Sequence, residues 1–506
     1  MRFIRFTLFI ILIQELFSQL ALDQQLQSIY LNHQMVGMSV AVRRDSTLVF
    51  AGHYGKRDLA RSLPVTDSTV YRIASISKLE TSMALLKLYE EGRFGLDEDV
   101  SSYLGFQLRN PSYPSQIITF RRLLSHTGSL RDGSGYNSFL AATYTDNPPP
   151  DLQSVLLPGG LYYTADMFSA SRSPDAGYFQ YANINFGIIG TLIESISGVR
   201  FDLYCKQVLF DPLGLDASFN VQHLVNINNV AVLYRRSGGQ WVAQTDQYNG
   251  HYPPPRDLSG YIIGNNGVVY GPQGGLRISA ADLSKIMQLR MNGGRLGDQC
   301  ILEPATVDLM FTSVWQHNGA NGNTYSGMFV NYALGNHRST TLLVDQVLTG
   351  HPGEAYGLIS DMYFSTDGHY GIIFITNGGI WSSGAHSAWY DVEEEIFAAC
   401  YANLNSLGYY YPASEPQLPV KLTLWPLFPN PFNALVTIRF SLPVTDKVWL
   451  RVFDLRGCLV EESCFEGLRP GDHQFDWNAD QCPSGVYWIS IETHSDRCVA
   501  KCLLLR

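Results

Sequence analysis

The chain has 506 residues and a mass of 56.5 kDa, with 45% hydrophobic and 16% charged residues. This length suggests about two to four domains, and the composition excludes a mostly disordered chain. The 35 basic and 45 acidic residues give a net charge of −10, which argues against nucleic acid or an anionic membrane as the main partner. No long apolar run follows the N-terminus, so the body of the chain has no predicted transmembrane span.

The N-terminus has the pattern of a secretory signal peptide. Arg2 and Arg5 accompany a nearly continuous apolar stretch, Phe6 to Ile13, which is too short to span a bilayer. We expect residues 1–21 to be this signal, and an ordinary first helix is the alternative. Export would place the 8 cysteines in an oxidising compartment, where those near the C-terminus are able to form one or two disulfides.

Residues 22–410 mix strand and helix patterns. Apolar runs predict two hairpins, and apolar side chains at helical spacing predict four helices. The order of hairpin, helices, hairpin and helix predicts an α+β fold with an antiparallel sheet. The predicted strands are Met38–Val42, Thr47–Gly52, Leu358–Phe364 and Gly371–Thr376, and the predicted helices are Lys78–Glu91, Phe186–Ser197, Ala280–Met291 and His386–Leu404.

The stretch from Asp132 to Gln180 interrupts this pattern. It is rich in Gly, Pro, Ser and Tyr, and it includes three consecutive prolines. We expect a long insertion that lies over the surface without regular structure, and loops of this kind often serve as lids over a site. Such a lid would select the substrate.

The C-terminal part of the chain changes to a purely β pattern. Residues 411–420 are predicted to be an extended, Pro-rich linker. In residues 421–506, short strands alternate with Gly and Pro turns, which predicts a small β-sandwich. The predicted strands are Leu435–Leu442, Val448–Leu455, His473–Trp477 and Val486–Thr493.

The first candidate site lies at the start of the first predicted helix, where Ser75 precedes Lys78 by three positions. A serine hydroxyl is a weak nucleophile that needs a nearby base, and residues three apart share a helix face. The helix N-terminus also favours a developing negative charge. Taken alone, the motif fits an N-cap serine and a solvated lysine better than a catalytic pair.

Two further motifs carry groups suited to catalysis. Tyr181 beside a lysine could have a lowered pKa and shuttle a proton, and Asn183 offers a donor and an acceptor to a substrate amide. In the sequence His351-Pro352-Gly353, the glycine would allow close approach of a ligand, and the N–H groups after it could donate to an oxyanion. Each motif alone also fits a structural role, as a packed Tyr with an N-cap Asn or as a Pro-Gly turn.

Adjacent Ser125 and His126 suggest a serine–histidine dyad at first sight. Two neighbours in sequence rarely present a nucleophile and its base to each other. We therefore interpret this block as a helix end followed by a turn.

The order and spacing of the three motifs resemble those of the serine β-lactamase and penicillin-binding-protein superfamily. The similarity covers roughly residues 25–405 and is strongest to class C β-lactamases and their esterase and D-aminopeptidase relatives. It implies a β-lactamase/transpeptidase-like antiparallel sheet flanked by helices, together with an all-α cluster.

This resemblance also implies a mechanism. Ser75 would attack a carbonyl, Lys78 and Tyr181 would act as a coupled acid/base pair, and Asn183 would orient the substrate. The N–H of Ser75 and one just after Gly353 would form the oxyanion hole, and we assign the second to Glu354. No metal or organic cofactor is implied.

One departure from the superfamily bears on the substrate. True β-lactamases carry Lys-Thr-Gly where this chain has His351-Pro352-Gly353, so a permanent cation is replaced by a group that is mostly neutral at pH 7. This change argues against efficient β-lactam hydrolysis and favours a small-molecule or peptide substrate that is cleaved at an ester or a peptide-like amide. The alternatives are a D-Ala-D-Ala carboxypeptidase or weak β-lactamase, and a catalytically idle module that binds peptides or peptidoglycan.

The C-terminal region resembles the type A sorting domain of the type IX secretion system, an immunoglobulin-like β-sandwich. The resemblance is carried by Pro429-Asn430-Pro431-Phe432-Asn433 and by Ser484-Gly485-Val486-Tyr487. It implies that secretion machinery is a partner and that the protein is exported to the outer-membrane surface or beyond. The alternative is a generic sandwich that binds a ligand such as carbohydrate.

Overall fold

The chain divides into two compact units, Met1–Tyr410 and Tyr411–Arg506. Most of the predicted signal peptide and the whole predicted linker lie outside the described residues. Residues 18–21, the end of the predicted signal, are helical. The computed structural model describes residues 18–407, 421–425, 427, 429–468 and 471–505.

The first unit combines helices with one large sheet. Among the described residues its α-helices are α1 (residues 18–32), α2 (Ser77–Glu90), α3 (Ser101–Leu104), α4 (Phe120–Leu124), α5 (Tyr136–Thr145), α6 (Gln153–Leu156), α7 (Asn183–Ser197), α8 (Phe201–Cys205), α9 (Ala280–Met291), α10 (Pro304–Phe311) and α11 (Asp391–Asn403). Its strands are β1 (Gly37–Arg44), β2 (Thr47–Asp58), β3 (Leu63–Pro64), β4 (Val70–Arg72), β5 (Leu233–Ser237), β6 (Gln240–Thr245), β7 (Arg277–Ser279), β8 (Arg295–Leu296), β9 (Gln299–Cys300), β10 (Trp315–Gln316), β11 (Asn331–Tyr332), β12 (His337–Ser339), β13 (Leu348–Ala355), β14 (Leu358–Ser365) and β15 (Tyr370–Thr376).

The large sheet is antiparallel and has nine strands in the order β10-β11-β12-β13-β14-β15-β1-β2-β3. Alternate residues of a strand point to opposite faces, and β15 is apolar on both. Ile372 and Phe374 pack with α1 and α11, whereas Ile373 and Ile375 join a core built with α2, α7 and α9. The prediction of an antiparallel sheet flanked by helices, with an all-α cluster, is confirmed.

The stretch from Asp132 to Gln180, predicted as an unstructured insertion, instead contributes to the core built with α2, α7 and α9. It contains α5 and α6, and apolar side chains along it, such as Phe139, Leu152 and Met167, are fully buried. The prediction was wrong because the frequent Gly, Pro and Tyr residues hid the short helices between them.

The second unit is a β-sandwich. Its sheets, ordered β16-β17-β20 and β19-β18-β21-β22, enclose one core to which β17, β18 and β21 contribute every second residue. The four predicted strands are present, and β16, β19 and β22 were missed. The strands are β16 (Thr423–Leu424), β17 (Leu435–Leu442), β18 (Asp446–Phe453), β19 (Leu459–Leu468), β20 (Gly471–Asn478), β21 (Gly485–Glu492) and β22 (Arg497–Leu504).

All eight cysteines lie among the described residues, and all are free thiols, so the expected C-terminal disulfides do not form in this structure. Cys458 and Cys464 are exposed on the sandwich, whereas Cys205 and Cys400 are buried in the first unit. Within the described ranges, no helix is both long and apolar enough to cross a bilayer.

Candidate active site

Ser75 lies in a tight turn that the surrounding structure holds on several sides. The turn, Ala74–Ile76, is a short 3-10 helix directly before α2, and Ala74 has a φ of 47°, in the left-handed region. The N–H of Ile73 donates to the Leu276 carbonyl at 3.0 Å, and the Ile73 carbonyl accepts from the Ser360 hydroxyl at 2.9 Å. Backbone strain of this kind persists only where neighbouring contacts enforce it, and it is common at functional sites.

The Lys78 amine lies one helical turn further on and faces Ser75. Its Nζ donates to Ser75 Oγ at 3.0 Å, to Asn183 Oδ1 at 3.0 Å and to the Gln273 carbonyl at 2.8 Å. The side chain is fully buried, and this desolvation lowers the pKa of Lys78 to about 7, against an opposing effect of the Asp132 charge. An amine with this pKa is able to accept a proton near neutral pH.

Asp132 orients Asn183 toward this amine. One carboxylate oxygen accepts from the backbone N–H and the side-chain amide of Asn183, both at 2.9 Å, and the other accepts from the N–H of Ile184 at 2.9 Å. The carboxylate therefore caps the first turn of α7, where N–H groups lack partners within the helix, and it leaves Asn183 Oδ1 to face Lys78. Sequence reasoning missed Asp132 as a site residue because its partner lies fifty-one positions away.

Tyr181 is packed between aromatic rings, and its hydroxyl lies near that of Ser75. Its ring stacks on Phe329 at a centroid distance of 5.1 Å and lies 4.4 Å from the ring of His126. Lys78 Nζ is 4.9 Å from the Tyr181 ring centroid. Burial raises the pKa of Tyr181, an effect that the nearby Ser75 hydroxyl only partly offsets, so the expectation of a lowered pKa was wrong. This tyrosine is therefore protonated at neutral pH.

Gly353 brings β13 against the Ser75 turn. A Cβ at this position would lie 2.6 Å from the Ile73 carbonyl oxygen and 3.2 Å from the Ser75 nitrogen, so only glycine fits. Glu354 follows on the strand, is exposed and lines the same cavity. Pairing of β13 with β12 ends at Gly350, whereas pairing with β14 continues to Ala355, so this stretch of β13 has one free edge.

His351 is not on an exposed turn; it lies fully buried within β13. Its Nε2 is 2.9 Å from the Tyr332 hydroxyl, and its Nδ1 is 2.6 Å from the Pro352 carbonyl. Burial, reinforced by the nearby Lys78 charge, holds the pKa of His351 well below its usual range. This side of the cavity is therefore lined by a neutral ring.

Ser125 and His126 do not form a dyad. The Ser125 hydroxyl donates to the Arg121 carbonyl at 2.7 Å, and His126 Nδ1 instead lies 2.9 Å from the side-chain amide of Asn185. The interpretation of this block as a helix end and turn holds, since α4 ends at Leu124. His126 nevertheless supports the site, because its ring is one wall of the packing around Tyr181.

These groups surround one cavity of about 730 Å³ in the first unit. Six of the seven predicted site residues line it, and Lys78 lies behind them on α2. Many tyrosines supply the remaining wall. The lining residues used below are Ser75, Tyr181, Asn183, His351, Gly353, Glu354, Arg72, Arg235, Tyr356, Tyr390 and Glu393.

The fold and this cavity define the class of β-lactamase-like serine hydrolases, which includes amidases, esterases and peptidases. The family described as Beta-lactamase matches residues 18–396, so the chain belongs to the β-lactamase family. The family described as Secretion system C-terminal sorting domain matches residues 426–504. This type IX sorting domain marks proteins exported to the cell surface or the extracellular space.

Individual similarities are distant. Protein flp of Staphylococcus aureus is 23% identical over 232 residues, which are 46% of this chain and 44% of that protein, so the chain spans less than half the length of this curated relative. The D-amino acid amidase of Ochrobactrum anthropi SV3 superposes with a TM-score of 0.56 at 18% identity, covering 76% of this chain and 99% of the amidase. An octameric penicillin-binding protein homologue from Pyrococcus abyssi superposes with a TM-score of 0.55 at 19% identity, covering 95% of this chain and 99% of the homologue. At these identities the structural likeness shows the fold alone.

Proposed function

We propose that the protein is an exported serine hydrolase that cleaves an ester or a peptide-like amide through an acyl-enzyme on Ser75. The observation that carries the proposal is the buried Lys78 amine, 3.0 Å from Ser75 Oγ, with a pKa lowered to about 7. A serine becomes nucleophilic when an adjacent base takes its proton, and a base works best when its pKa is near the working pH.

The geometry supports the following reaction. Neutral Lys78 accepts the Ser75 proton as Oγ bonds to the substrate carbonyl carbon. The N–H groups of Ser75 and Glu354 donate to the resulting oxyanion. Tyr181 gives its proton to the departing alcohol or amine and regains one from Lys78, which leaves the acyl group on Ser75. Water then attacks the acyl carbon, loses a proton to the same pair, and releases the carboxylic acid and free Ser75.

The neutral wall around His351 favours esters and simple amides over β-lactams. A β-lactam carries a carboxylate close to its reactive carbonyl, and a neutral imidazole gives that charge no partner. The superposition with the D-amino acid amidase agrees with amide cleavage in this fold. A D-Ala-D-Ala carboxypeptidase or weak β-lactamase is the second candidate. It is supported by the similarity to the Pyrococcus abyssi protein, which is named a penicillin-binding protein homologue.

The decisive experiment replaces the nucleophile. Ser75→Ala should lower hydrolysis of a short-chain nitrophenyl ester by roughly 10⁴- to 10⁶-fold, because the site acts as a unit. Ser125→Ala is the control for the rejected dyad and should retain activity. Ser75→Ala activity above a tenth of wild type would refute the mechanism.

Covalent probes distinguish the candidate functions. Labelling by a fluorophosphonate but not by a fluorescent penicillin would support the ester or amide hydrolase. Labelling by both would favour the carboxypeptidase or β-lactamase. Labelling of the folded protein by neither would favour the idle binding module.

A further inference from the structure

Two arginines lie at the end of the cavity where β13 turns into β14. Arg72 precedes Ser75 by three residues, and its guanidinium carbon is 5.4 Å from the ring centroid of Tyr356, in the turn. Arg235, on β5, packs over Gly357, where an added Cβ would lie 2.8 Å from the arginine Cγ. Both arginines flank the same turn, and both line the cavity.

The charges of these arginines are largely unpaired. Arg72 Nε is 3.8 Å from Asp246, but that buried carboxylate already accepts two hydrogen bonds from Arg277, at 2.7 and 3.0 Å. Within the described part of the chain, the exposed Arg235 side chain has no hydrogen bond or ion pair. This end of the cavity is therefore cationic.

The acidic groups of the cavity, Glu354 and Glu393, both contact Tyr390. Glu354 Oε2 is 3.4 Å from the Tyr390 hydroxyl, and Glu393 accepts from the Tyr390 backbone N–H at 2.7 Å. Neither carboxylate forms an ion pair with Arg72 or Arg235. A substrate anion would therefore meet Arg235 without displacing an internal partner, and at Arg72 it would compete only with the 3.8 Å contact to Asp246.

The position of the arginines relative to Ser75 fixes where such an anion must be. Gly353 contacts the Ser75 turn, and Tyr356 lies three residues further along, which corresponds to about 10 Å of extended chain. Tyr181, the proposed proton donor to the leaving group, lies on the other side, with its ring 5.9 Å from that of His351. The leaving group departs on that side, so the acyl part of the substrate extends toward the arginines.

We propose that Arg72 and Arg235 bind a carboxylate on the acyl part of the substrate, about 10 Å from the carbonyl attacked by Ser75. The inference rests on the proposed function, because that function sets the direction of the substrate. It defines the substrate class as ω-carboxyacyl esters or amides, which include peptides whose acyl side carries an acidic group.

The test compares two substrates that differ only in charge: the mono-4-nitrophenyl ester of suberic acid and the same ester with its far carboxylate converted to an amide. Wild type should favour the carboxylate in kcat/KM by about tenfold or more, and added salt should reduce the preference. Arg235→Gln should lower this ratio about tenfold. Arg236→Gln is the matched control, since Arg236 is the next exposed residue of β5 and donates to Gln34.

Arg72→Gln should act in the same direction, and Arg235→Gln keeps the test valid if Arg72 proves necessary for folding. Calorimetry on Ser75→Ala, with the corresponding 4-nitroanilides, measures the same preference without catalysis. Hydrolysis without charge preference would overturn this inference and leave the Ser75 mechanism standing. If the wild type hydrolyses neither ester, but calorimetry shows tighter binding of the carboxylate and Arg235→Gln removes this preference, the inference would be supported and the proposed function refuted. Equal binding of both anilides, or none, would overturn it.

Discussion

Burial determines the chemistry of Lys78. Its amine has three acceptors within 3.0 Å and no access to solvent, so the charged form loses the hydration that it has in water. The Asp132 charge restores part of this stability, and the outcome is a pKa of about 7. Roughly half of the molecules would therefore carry a neutral amine at neutral pH.

Activity should consequently rise with pH through about 7 and then level off, because only the neutral amine accepts the Ser75 proton. The observed midpoint belongs to the Lys78–Tyr181 pair, which exchanges protons. Asp132→Asn removes the charge that raises the pKa of Lys78, so the rising limb should move to lower pH. The plateau kcat/KM should fall about tenfold as Asn183 loses its orientation.

A pH–rate profile on a nitrophenyl ester measures both effects. Asp175→Asn is the control, since this half-exposed aspartate pairs with Arg122. If the rising limb of the Asp132→Asn profile stays at the same pH or moves to higher pH, the role given to Asp132 would be contradicted.

Gly353 has a purely steric role. Gly353→Ala should reduce kcat/KM by at least about a hundredfold, because its methyl group would push β13 away from the backbone of the Ser75 turn. Gly128→Ala is the matched control, since a Cβ there meets only side-chain atoms at 3.5 Å or more. Both proteins should fold, as shown by circular dichroism. Full activity of Gly353→Ala would show that β13 does not define the site.

At the scale of elements, a pair of buried acids joins α11 to β14. Asp361 is fully buried, and the carboxyl of Glu393 lies beside it. Burial raises the pKa of both groups, for Glu393 to about 7, and Glu393 further opposes the ionisation of Asp361. The pair holds a proton that the unfolded chain would release well below neutral pH.

This pair should make stability decrease with rising pH. Folding raises the pKa values of the pair. Its contribution to stability is therefore fully present below the unfolded pKa, near 4.5 for Glu393, and is lost as the pH rises through the folded pKa of about 7. The free energy of unfolding should fall by up to about 3 kcal/mol between pH 5 and 8. Glu393→Gln should flatten this dependence, and Glu395→Gln, a half-exposed neighbour, should not. Denaturant titrations at several pH values provide the measurement; an unchanged slope in Glu393→Gln would exclude the pair as its source.

The sequence predicts elements well where local pattern decides. Helix α9 was predicted with its observed bounds, Ala280–Met291, because Ser279 caps it and its apolar spacing is regular. Helix α7 begins three residues before the predicted start, because its first N–H groups are capped by Asp132, which is distant in sequence. Strand β19 was missed because its side chains are mostly exposed and lack the alternation that reveals a strand.

In the candidate site, too, local sequence pattern predicts some features, whereas others depend on residues that are distant in the sequence. Spacing alone indicated that Lys78 reaches Ser75, because a three-residue separation fixes the distance on a helix. The burial that reverses the expected pKa shift of Tyr181 depends on Phe329 and His126, which come from other parts of the chain. Arg235 likewise becomes a cavity residue only through the fold.

At the scale of the whole molecule, each unit has its own hydrophobic core. The nine-stranded sheet is buried between two clusters of the first unit, and the sandwich encloses a third. Units with separate cores are able to fold separately. We therefore expect hydrolysis to belong to the first unit and export to the second, which carries the sorting domain.

A chain that ends at residue 410 should retain ester hydrolysis within about twofold and should no longer be exported. Full-length Ser75→Ala is the reciprocal control, which should be exported but inactive. Activity assays on purified protein and immunoblots of culture supernatant measure the two properties. A truncated chain that is exported but inactive would reverse the assignment and indicate a substrate-binding sandwich.

The distribution of thiols has a practical consequence for immobilisation. Maleimide or gold chemistry under mild conditions would act first on the solvent-facing Cys458 and Cys464, and both belong to the unit without Ser75. In the hydrolase unit, Cys205 and Cys400 are shielded, and only Cys300 is half-buried. After a Cys300→Ser substitution, the protein would attach to a bead or electrode through its export domain, at Cys458 or Cys464, and the unit with Ser75 would stay free of linkage.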